Sequence, residues 1–366
     1  LIVGLSLGLK LYTTDFSLPV NSDNLLFTVL AIAHTNGDFS QTGYVGIGWS
    51  LFVSPFFSLI DSDNFIDYSN AIRILSLSIA TCTIPVMYLV CRKFFEQKYS
   101  LLGAGLFAFE PHLNHNAGTG YTEPLFIITI LSSFYFILNK NTIYIIPSMI
   151  LVGAVYWMRP NGFILFFIIT IIYFIIFRGQ KHYFRNYALG LTLFLIVISP
   201  MLLQKYDQFG EPFFSTYSEK IFAGSYEKIA GENTAKLNPS LMAYIENEGL
   251  GALLENYVLA GFFNTFAVLS KLSLPYLFIL IPFGILFSFR AFDQDRKYIK
   301  ANWLFILLSL ASMIVVISVI PEKRFLFFLL PFLMIFSIIP IQRVVEYGLS
   351  TFSFTNKQKN IFLIII

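Results

Sequence analysis

The stretch NSDNLLFTVLAIAHTNGDF, residues 21–39, carries Asp23 and Asp38 in a half-polar segment between apolar runs, with Asp15 just ahead of it. Carboxylates placed immediately outside a membrane span can take or hold a proton at the interface. Glu123 stands at the edge of a later apolar run and is followed by Pro124. An acid there is costly unless it is paired or faces a wet cavity, which makes it a candidate for function. Asp23 and Glu123 also have a plainer role open to them, support of a helix N-terminus, where the macrodipole favours an acid. Glu110, His112 and His115 share the loop ahead of Glu123. Two histidines three apart with two acids nearby could hold a divalent metal, and the same residues equally suit a polar loop lining.

These groups belong to a chain of 366 residues that is 56% hydrophobic and only 12% charged, with a mean hydropathy of +0.71. Soluble domains carry about 25% charged residues, so the composition places this chain in a membrane. The net charge of +3 decides little, because in a bilayer the position of charges matters more than their sum. Cys82 and Cys91 fall in one apolar run. They provide neither a disulfide framework nor a metal-ligand spacing and read as small buried hydrophobes.

Apolar runs of spanning or near-spanning length lie at about 70–91, 100–113, 122–138, 142–157, 161–177, 187–203, 274–289, 302–320 and 325–341. A half-span to Leu11 opens the chain and IFLIII closes it, so about eleven helices and truncation at both ends are expected. The fold class is an all-α, polytopic transmembrane helical bundle. Pro85, Pro147, Pro282 and Pro331 inside the runs predict kinks. Residues 12–69 and 204–272 read as too polar to span and as loops on one face. In the first loop Ser22 suits an N-cap for a helix from Asp23 to about His34, with Leu25, Leu26, Val29, Leu30 and Ile32 on its apolar side. Such a helix lies along the membrane interface. Residues 43–59, Gly-rich at the start and broken at Pro55, read as a second interfacial or re-entrant helix.

Basic residues orient the bundle. With the first loop outside, the short inner loops collect Arg92, Lys93, Lys98, Lys140, Arg178, Lys181, Arg185, Arg290, Arg296, Lys297, Lys300, Arg343, Lys357 and Lys359, 14 of the 24 Lys and Arg. Only Glu96, Asp293, Asp295 and Glu346 of the 21 acids join them. The expected plan is a multi-pass cell-membrane protein: one membrane domain over residues 1–345, then a cytoplasmic loop and the start of a further helix over 346–366. No internal repeat of about 20–50 residues is visible, against the duplicated halves common in transporters.

Several short patterns resemble the polyprenyl-phosphate-sugar-dependent membrane glycosyltransferases of the C-type superfamily, close to the family-39 group and its RgtA/B/C/D-like relatives. They begin with Asp23 in the opening loop, followed by a helix, Gly37-Asp38 and Gly48-Trp49-Ser50. Arg73 heads the next span, which ends in the basic turn CRKFF. In FEPHLNHNAGTGYTEPLF (109–126), Tyr121-Thr122-Glu123-Pro124-Leu125 looks like the family's sEPL signature. WMRPNG (157–162), YDQFGEPFF (206–214) and PEKRFLFFLLPF (321–332) follow in family order, so the matches cover nearly the whole chain.

The resemblance implies transfer of a sugar from an undecaprenyl- or dolichyl-phosphate carrier to a lipid, glycan or protein acceptor on the extracytoplasmic face, with inversion. Inversion needs a carboxylate to take the acceptor proton while the phosphate leaves. Asp23 suits that general base, with Asp15 as the alternative base, Asp38 behind it and Glu123 as a second catalytic acid. The donor phosphate needs a cationic clamp, for which Arg324 is the first candidate and Arg159 and Arg73 the next, because a guanidinium can hold two phosphate oxygens. Snorkelling to the interface is the other role open to those arginines. His112, Tyr121 and Asp38 complete the substrate-binding set. Tyr206, Tyr217, Tyr226, Tyr244 and Tyr257, interleaved with Glu219, Glu227, Glu246, Glu248 and Glu255, suit acceptor recognition or surface helices equally. Leu250, Leu253, Leu254, Val258 and Leu259 have helical spacing within the same loop. The family includes metal-dependent and metal-free enzymes, so a divalent metal stays open and no cofactor is fixed. Membrane lipid surrounds the protein, and no nucleic-acid partner is implied.

A transporter or flippase for a lipid-linked or small polar substrate is the alternative. Transporters place charges midway through their spans, whereas here the acids crowd one rim. An oligosaccharyltransferase is disfavoured because none of Trp49, Trp157 and Trp303 stands in a Trp-Trp-Asp run. The orientation has a direct check: Ala230→Cys should react with a membrane-impermeant thiol reagent in intact cells, and labelling only after permeabilisation inverts the topology.

Overall fold

A computed structural model describes residues 1–40, 46–214, 221–223, 241–272, 275–289 and 296–365. Tyr217, Tyr226, Glu219 and Glu227, the start of the 43–59 segment, and Arg290, Asp293 and Asp295 lie outside the described residues. What is described is helical: α1 (Ile2–Thr13), α2 (Asp23–Thr35), α3 (Gly48–Phe57), α4 (Phe65–Cys91), α5 (Gln97–Ala108), α6 (Pro111–Gly118), α7 (Glu123–Ile137), α8 (Ile145–Met158), α9 (Phe163–Phe177) and α10 (Tyr183–Phe209) come first. They are followed by α11 (Leu241–Leu269), α12 (Pro275–Ser288), α13 (Arg296–Val319), α14 (Leu330–Arg343) and α15 (Asn356–Ile365).

Six helices among these residues are long and apolar enough to cross a membrane: Phe65–Cys91, Pro160–Phe177, Tyr183–Phe209, Leu241–Leu269, Arg296–Val319 and Lys323–Thr351. Four shorter apolar helices of 10–17 residues accompany them, so among the described residues six helices meet the length of a span and the expected count of eleven is not reached by length alone. One expected span, 100–113, is divided. α5 stops at Ala108 because Glu110 accepts a hydrogen bond from the Leu113 N–H (2.7 Å) and Pro111 opens the new helix α6. Pro147 and Pro331 fall in first helical turns, where a missing N–H costs nothing, and only Pro85 and Pro282 of the four lie deeper inside a helix.

The axis of the bundle is the segment Lys323–Thr351, 89% of whose apolar window is buried. Phe332 stacks on Phe305 of α13 (4.0 Å between ring centres) and meets Phe134 of α7 edge-on (4.9 Å). A smaller core of Val20, Ala31, Trp49, Val53, Phe57 and Ile72 docks α2 and α3 on the head of α4. Glycine makes that docking close: a Cβ on Gly46 would lie 1.9 Å from the Met158 carbonyl oxygen, and one on Gly48 2.9 Å from the Met158 nitrogen. The start of α3 therefore rests directly on the end of α8, one residue from Arg159.

Most of the apolar edge of α2 faces outward, as expected of an interfacial helix, with Leu30 turned inward. Asn24, Thr28, Leu30, Ala31 and His34 are buried, whereas Leu25, Leu26 and Val29 are exposed. The polar edge turns inward to the protein, and the apolar edge is free to meet lipid, as an interfacial helix requires.

The expectation that 204–272 is too polar to span does not hold for α11. Its charges, Glu246, Glu248 and Glu255, lie in the first half, and Asn256 to Leu269 carries none. The ends of its neighbours say why a crossing is needed. Gln204 near the end of α10 reaches the Phe39 carbonyl beyond α2, and Arg324, just beyond α13, returns to Asp23. The end of α10 and the end of α13 thus share one face, and an odd number of crossings separates Phe209 from Arg296. α11 has 29 residues, against 14 in α12. Tyr257 packs on Val319 and Ile320 at the end of α13, and Gly261 lies against Ile314 further down. Lys271→Cys is accordingly expected to label from the face opposite to Ala230→Cys; labelling of both from one side would return α11 to the surface.

Candidate functional site

α2 starts where the α14 axis ends. Ser22, the residue before α2, has φ 54° and ψ −137° and makes no side-chain cap, a backbone conformation that costs about 1–3 kcal/mol for a non-glycine residue. Asp23 then sits in the first turn with its side chain 43% exposed. It does not cap α2 either: its Oδ2 accepts a 2.5 Å hydrogen bond from Arg324 Nη1, 301 positions away in sequence. Arg324 Nε lies 2.6 Å from Glu322 Oε2. That contact lacks hydrogen-bond alignment, since Nε counts as unbonded, so it is an ion pair only.

A second pair stands beside the first. Glu123, in the first turn of α7 and 2% exposed, accepts a charge-assisted hydrogen bond from Arg159 Nη2. Its other oxygen, Oε2, is buried and unbonded. The two guanidiniums share one ring, with Arg324 5.5 Å and Arg159 5.9 Å from the centre of Phe325. Arg324 also lies over Tyr121 (5.5 Å), whose phenol burial pushes above its ordinary value. Lys323 Nζ is 2.9 Å from His112 Nδ1. Burial, then the Lys323 charge, hold the His112 imidazole below its usual value, so it accepts from the ammonium. No carboxylate among the described residues pairs with Lys323.

The structure therefore gathers Asp23, Tyr121, Glu123, Arg159 and Arg324, with His112 at the margin through Lys323. Asp15, Arg73 and Asp38 are elsewhere. Asp15 accepts from the Ser17 N–H (2.8 Å) and hydroxyl (2.6 Å), which lower its carboxyl, and it faces a separate cavity with Arg73. Arg73 donates to the Leu18 carbonyl (2.6 Å) and to Asn70 (3.2 Å). Asp38 accepts from the Ser40 N–H (2.9 Å) in the loop after α2. Reading the sequence missed Phe325 and Asn24. Asn24 is fully buried and ties α2 to the Thr119 carbonyl (2.8 Å). Its signal was an amide at a position expected to be polar and exposed.

The sequence profile of the dolichyl-phosphate-mannose-protein mannosyltransferase family matches residues 52–203. No curated protein matches the chain significantly. Among solved structures, the oligosaccharyltransferase of Archaeoglobus fulgidus aligns with the whole chain. Its apo form gives a TM-score of 0.63 at 12% identity over 53% of that chain. Its complex with Zn and sulfate gives 0.64 at 14% over 51%. AglB from the same organism, with an inhibitory peptide and a dolichol-phosphate, gives 0.63 at 13% over 53%.

The chain has the fold of the Archaeoglobus fulgidus oligosaccharyltransferase.

The chain spans about half the length of the oligosaccharyltransferase it matches. The matched mannosyltransferase segment contains Arg73, His112, Tyr121, Glu123 and Arg159, while Asp23 and Arg324 flank it on either side. Since one such fold has been crystallised with Zn, the acids and histidines of this chain can be tested for fit. Among the described residues no three His, Cys, Asp or Glu come together to hold a metal ion. Glu110 Oε1 is buried and unbonded, and burial raises its carboxyl to about 7. The nearby His112 already faces an ammonium, and His115 lines the separate cavity. Among the described residues, then, the arrangement does not fit a metal.

The Glu123–Arg159 pair is a stability statement. Removing one partner of a buried ion pair costs about 3–5 kcal/mol, because the other charge stays behind. Arg159→Ala should lower the unfolding temperature in detergent sharply, while the Arg159→Gln, Glu123→Gln double variant, which leaves no net charge, should recover much of it. A double variant no better than the single one would mean that the pair does not hold α7 to α8.

Proposed function

We propose that the chain is an inverting glycosyltransferase that moves a hexosyl or pentosyl residue from a polyprenyl-phosphate carrier to an acceptor on the extracytoplasmic face of the membrane. The observation that carries the reading is the partly exposed carboxylate of Asp23 held at 2.5 Å by Arg324, in a cluster of three acids and three cations at one end of an apolar bundle. The orientation is supported by the basic residues, 14 of 24 of which fall on the loops read as facing the other side.

In this reading the acceptor hydroxyl attacks the anomeric carbon, its proton passes to Asp23, and the bond from that carbon to the carrier phosphate breaks on the opposite side. Arg324 keeps Asp23 aimed. With Nη1 on Asp23 and Nε beside Glu322, its Nη2 is left for a phosphate oxygen, and Lys323 adds a cation that no described carboxylate has claimed. Fixed cations at the point where phosphate charge develops stabilise the transition state without reorganising. Glu123 acts through Arg159, setting its position on the Phe325 ring. A fold solved with dolichol-phosphate bound supports the choice of carrier.

Asp23→Asn keeps the size of the side chain and removes the proton acceptor, and general-base catalysis contributes about a hundredfold to ten-thousandfold. With matched amounts of protein in membranes and a radiolabelled polyprenyl-phosphate sugar, transfer should fall by that range while donor binding persists. Near-normal transfer in Asp23→Asn with collapse in Asp15→Asn would move the base to the other acid.

Arg324→Ala frees Asp23 as well as a phosphate oxygen, so it should cost far more than Lys323→Ala. Charge-assisted hydrogen bonds are worth about 1.5–3 kcal/mol, a loss of roughly tenfold to a hundredfold in turnover for each one removed. Equal effects of the two substitutions would reduce Arg324 to an interfacial anchor.

A further inference from the structure

Beside the charged cluster lies a separate cavity of about 530 Å³, enclosed by the end of α1, the 14–21 loop, Arg73 and α6. Its size is that of a small-ligand site, about 300–1,000 Å³. α6 is the partition between the two. His112 on one side of this helix contacts Lys323, whereas Asn114 and His115 line the cavity. Asn21, two residues before Asp23, closes the near wall. The Asn24 bond to the Thr119 carbonyl holds that wall to α6.

The lining has one acid, Asp15, one guanidinium, Arg73, and no lysine. Arg73 is 7% exposed and spends Nη1 on Leu18 and Asn70. An anionic head would find its only guanidinium partly engaged and a carboxylate beside it. A set of neighbouring hydroxyls fits better, since each can donate to Asp15 or the Asn114 carbonyl and accept from Arg73. Phe109 adds an apolar ring for the C–H face of a sugar. Two lining residues, Leu9 and Phe109, are each 40% exposed, and Leu5, one turn from Leu9 on α1, is 56% exposed, so an apolar surface adjoins the polar pocket.

We propose that the cavity binds the saccharide head of a neutral glycolipid, its lipid part lying against the exposed apolar surface of Leu5, Leu9 and Phe109, and that it is the acceptor subsite. The binding stands on the cavity itself; the acceptor role rests on the transferase reading above. A hydroxyl carried past Asn21 would meet Asp23 from the side away from Lys323, leaving the cationic side to the carrier phosphate.

The full chain in lipid nanodiscs would be photolabelled with a monohexosyl diacylglycerol bearing a diazirine on the sugar. Controls are phosphatidylglycerol with the diazirine on its head group and the free methyl hexoside. The glycolipid should label within residues 13–21 or 109–119. The Asn114→Leu, His115→Leu double variant should reduce labelling by about tenfold or more, as expected for two lost hydrogen bonds. Asp15→Asn, a mild change on an exposed loop, should reduce it several-fold, and Asp23→Asn should leave it unchanged. Equal labelling by phosphatidylglycerol, or unchanged labelling in both cavity variants, overturns the site. Labelling by the free hexoside as strong as by the glycolipid overturns the lipid origin. If Asp23→Asn abolishes transfer to membrane acceptors but the bound glycolipid is never glycosylated by the wild type, the acceptor role fails while the transferase reading stands.

Discussion

The hydrogen bond between Arg324 and Asp23 joins the two parts of the chain that hydropathy alone would leave independent. It spans 301 positions, and both residues come from segments with little freedom. Asp23 follows a backbone turn at Ser22 that only surrounding contacts can hold. Arg324 heads the most buried segment of the bundle. Moving the axis would move the cation, and the acid with it. In a weakly polar surrounding the attraction between such charges is far stronger than in water. So is the penalty for leaving one unpaired.

The same constraint explains the composition of the cluster. Asp23, Glu123 and Glu322 are matched by Arg159, Lys323 and Arg324, and the two arginines are packed against one phenylalanine ring. Aromatic faces suit guanidinium groups because the ring quadrupole favours a cation while excluding water. Phe325 thereby sets the spacing between a pair that is almost wholly buried and a pair that is partly open. Of the two pairs, the open one leaves its carboxylate partly exposed, 43% at Asp23 against 2% at Glu123.

A short helix divides the chemistry into two wells. α6 forms because Glu110 takes up the Leu113 N–H and Pro111 supplies a preset first turn. With eight residues, it offers His112 to the cationic side and Asn114 and His115 to the neutral cavity. Under the proposed function, that separation would keep a charged donor group and an uncharged acceptor in different surroundings.

Much of this was legible in the chain itself. Membrane class follows from composition, and the helices from runs whose length a bilayer dictates. Asp23 and Glu123 stood out because acids at a span edge are expensive. The sequence also put Arg324 first among the arginines at span ends, but it could not separate Arg159 from Arg73, since periodicity says which residues lie near an interface and nothing about which of them meet. That choice belongs to packing. The axis carries Arg324 to Asp23 and the Gly46–Gly48 contact sets α3 beside Arg159, whereas Arg73 turns toward Leu18 and Asp15 remains in its own turn with Ser17. The outward apolar edge of α2 was legible as that of an interfacial helix, whereas the inward role of its polar edge, where Asn24 reaches the Thr119 carbonyl, was not. The crossing by α11 was masked because three glutamates gathered in its first half raise the polarity of the whole segment. Side-chain chemistry and span length are local properties and survive in sequence; which charge answers which is decided only when distant segments close around one low-dielectric space.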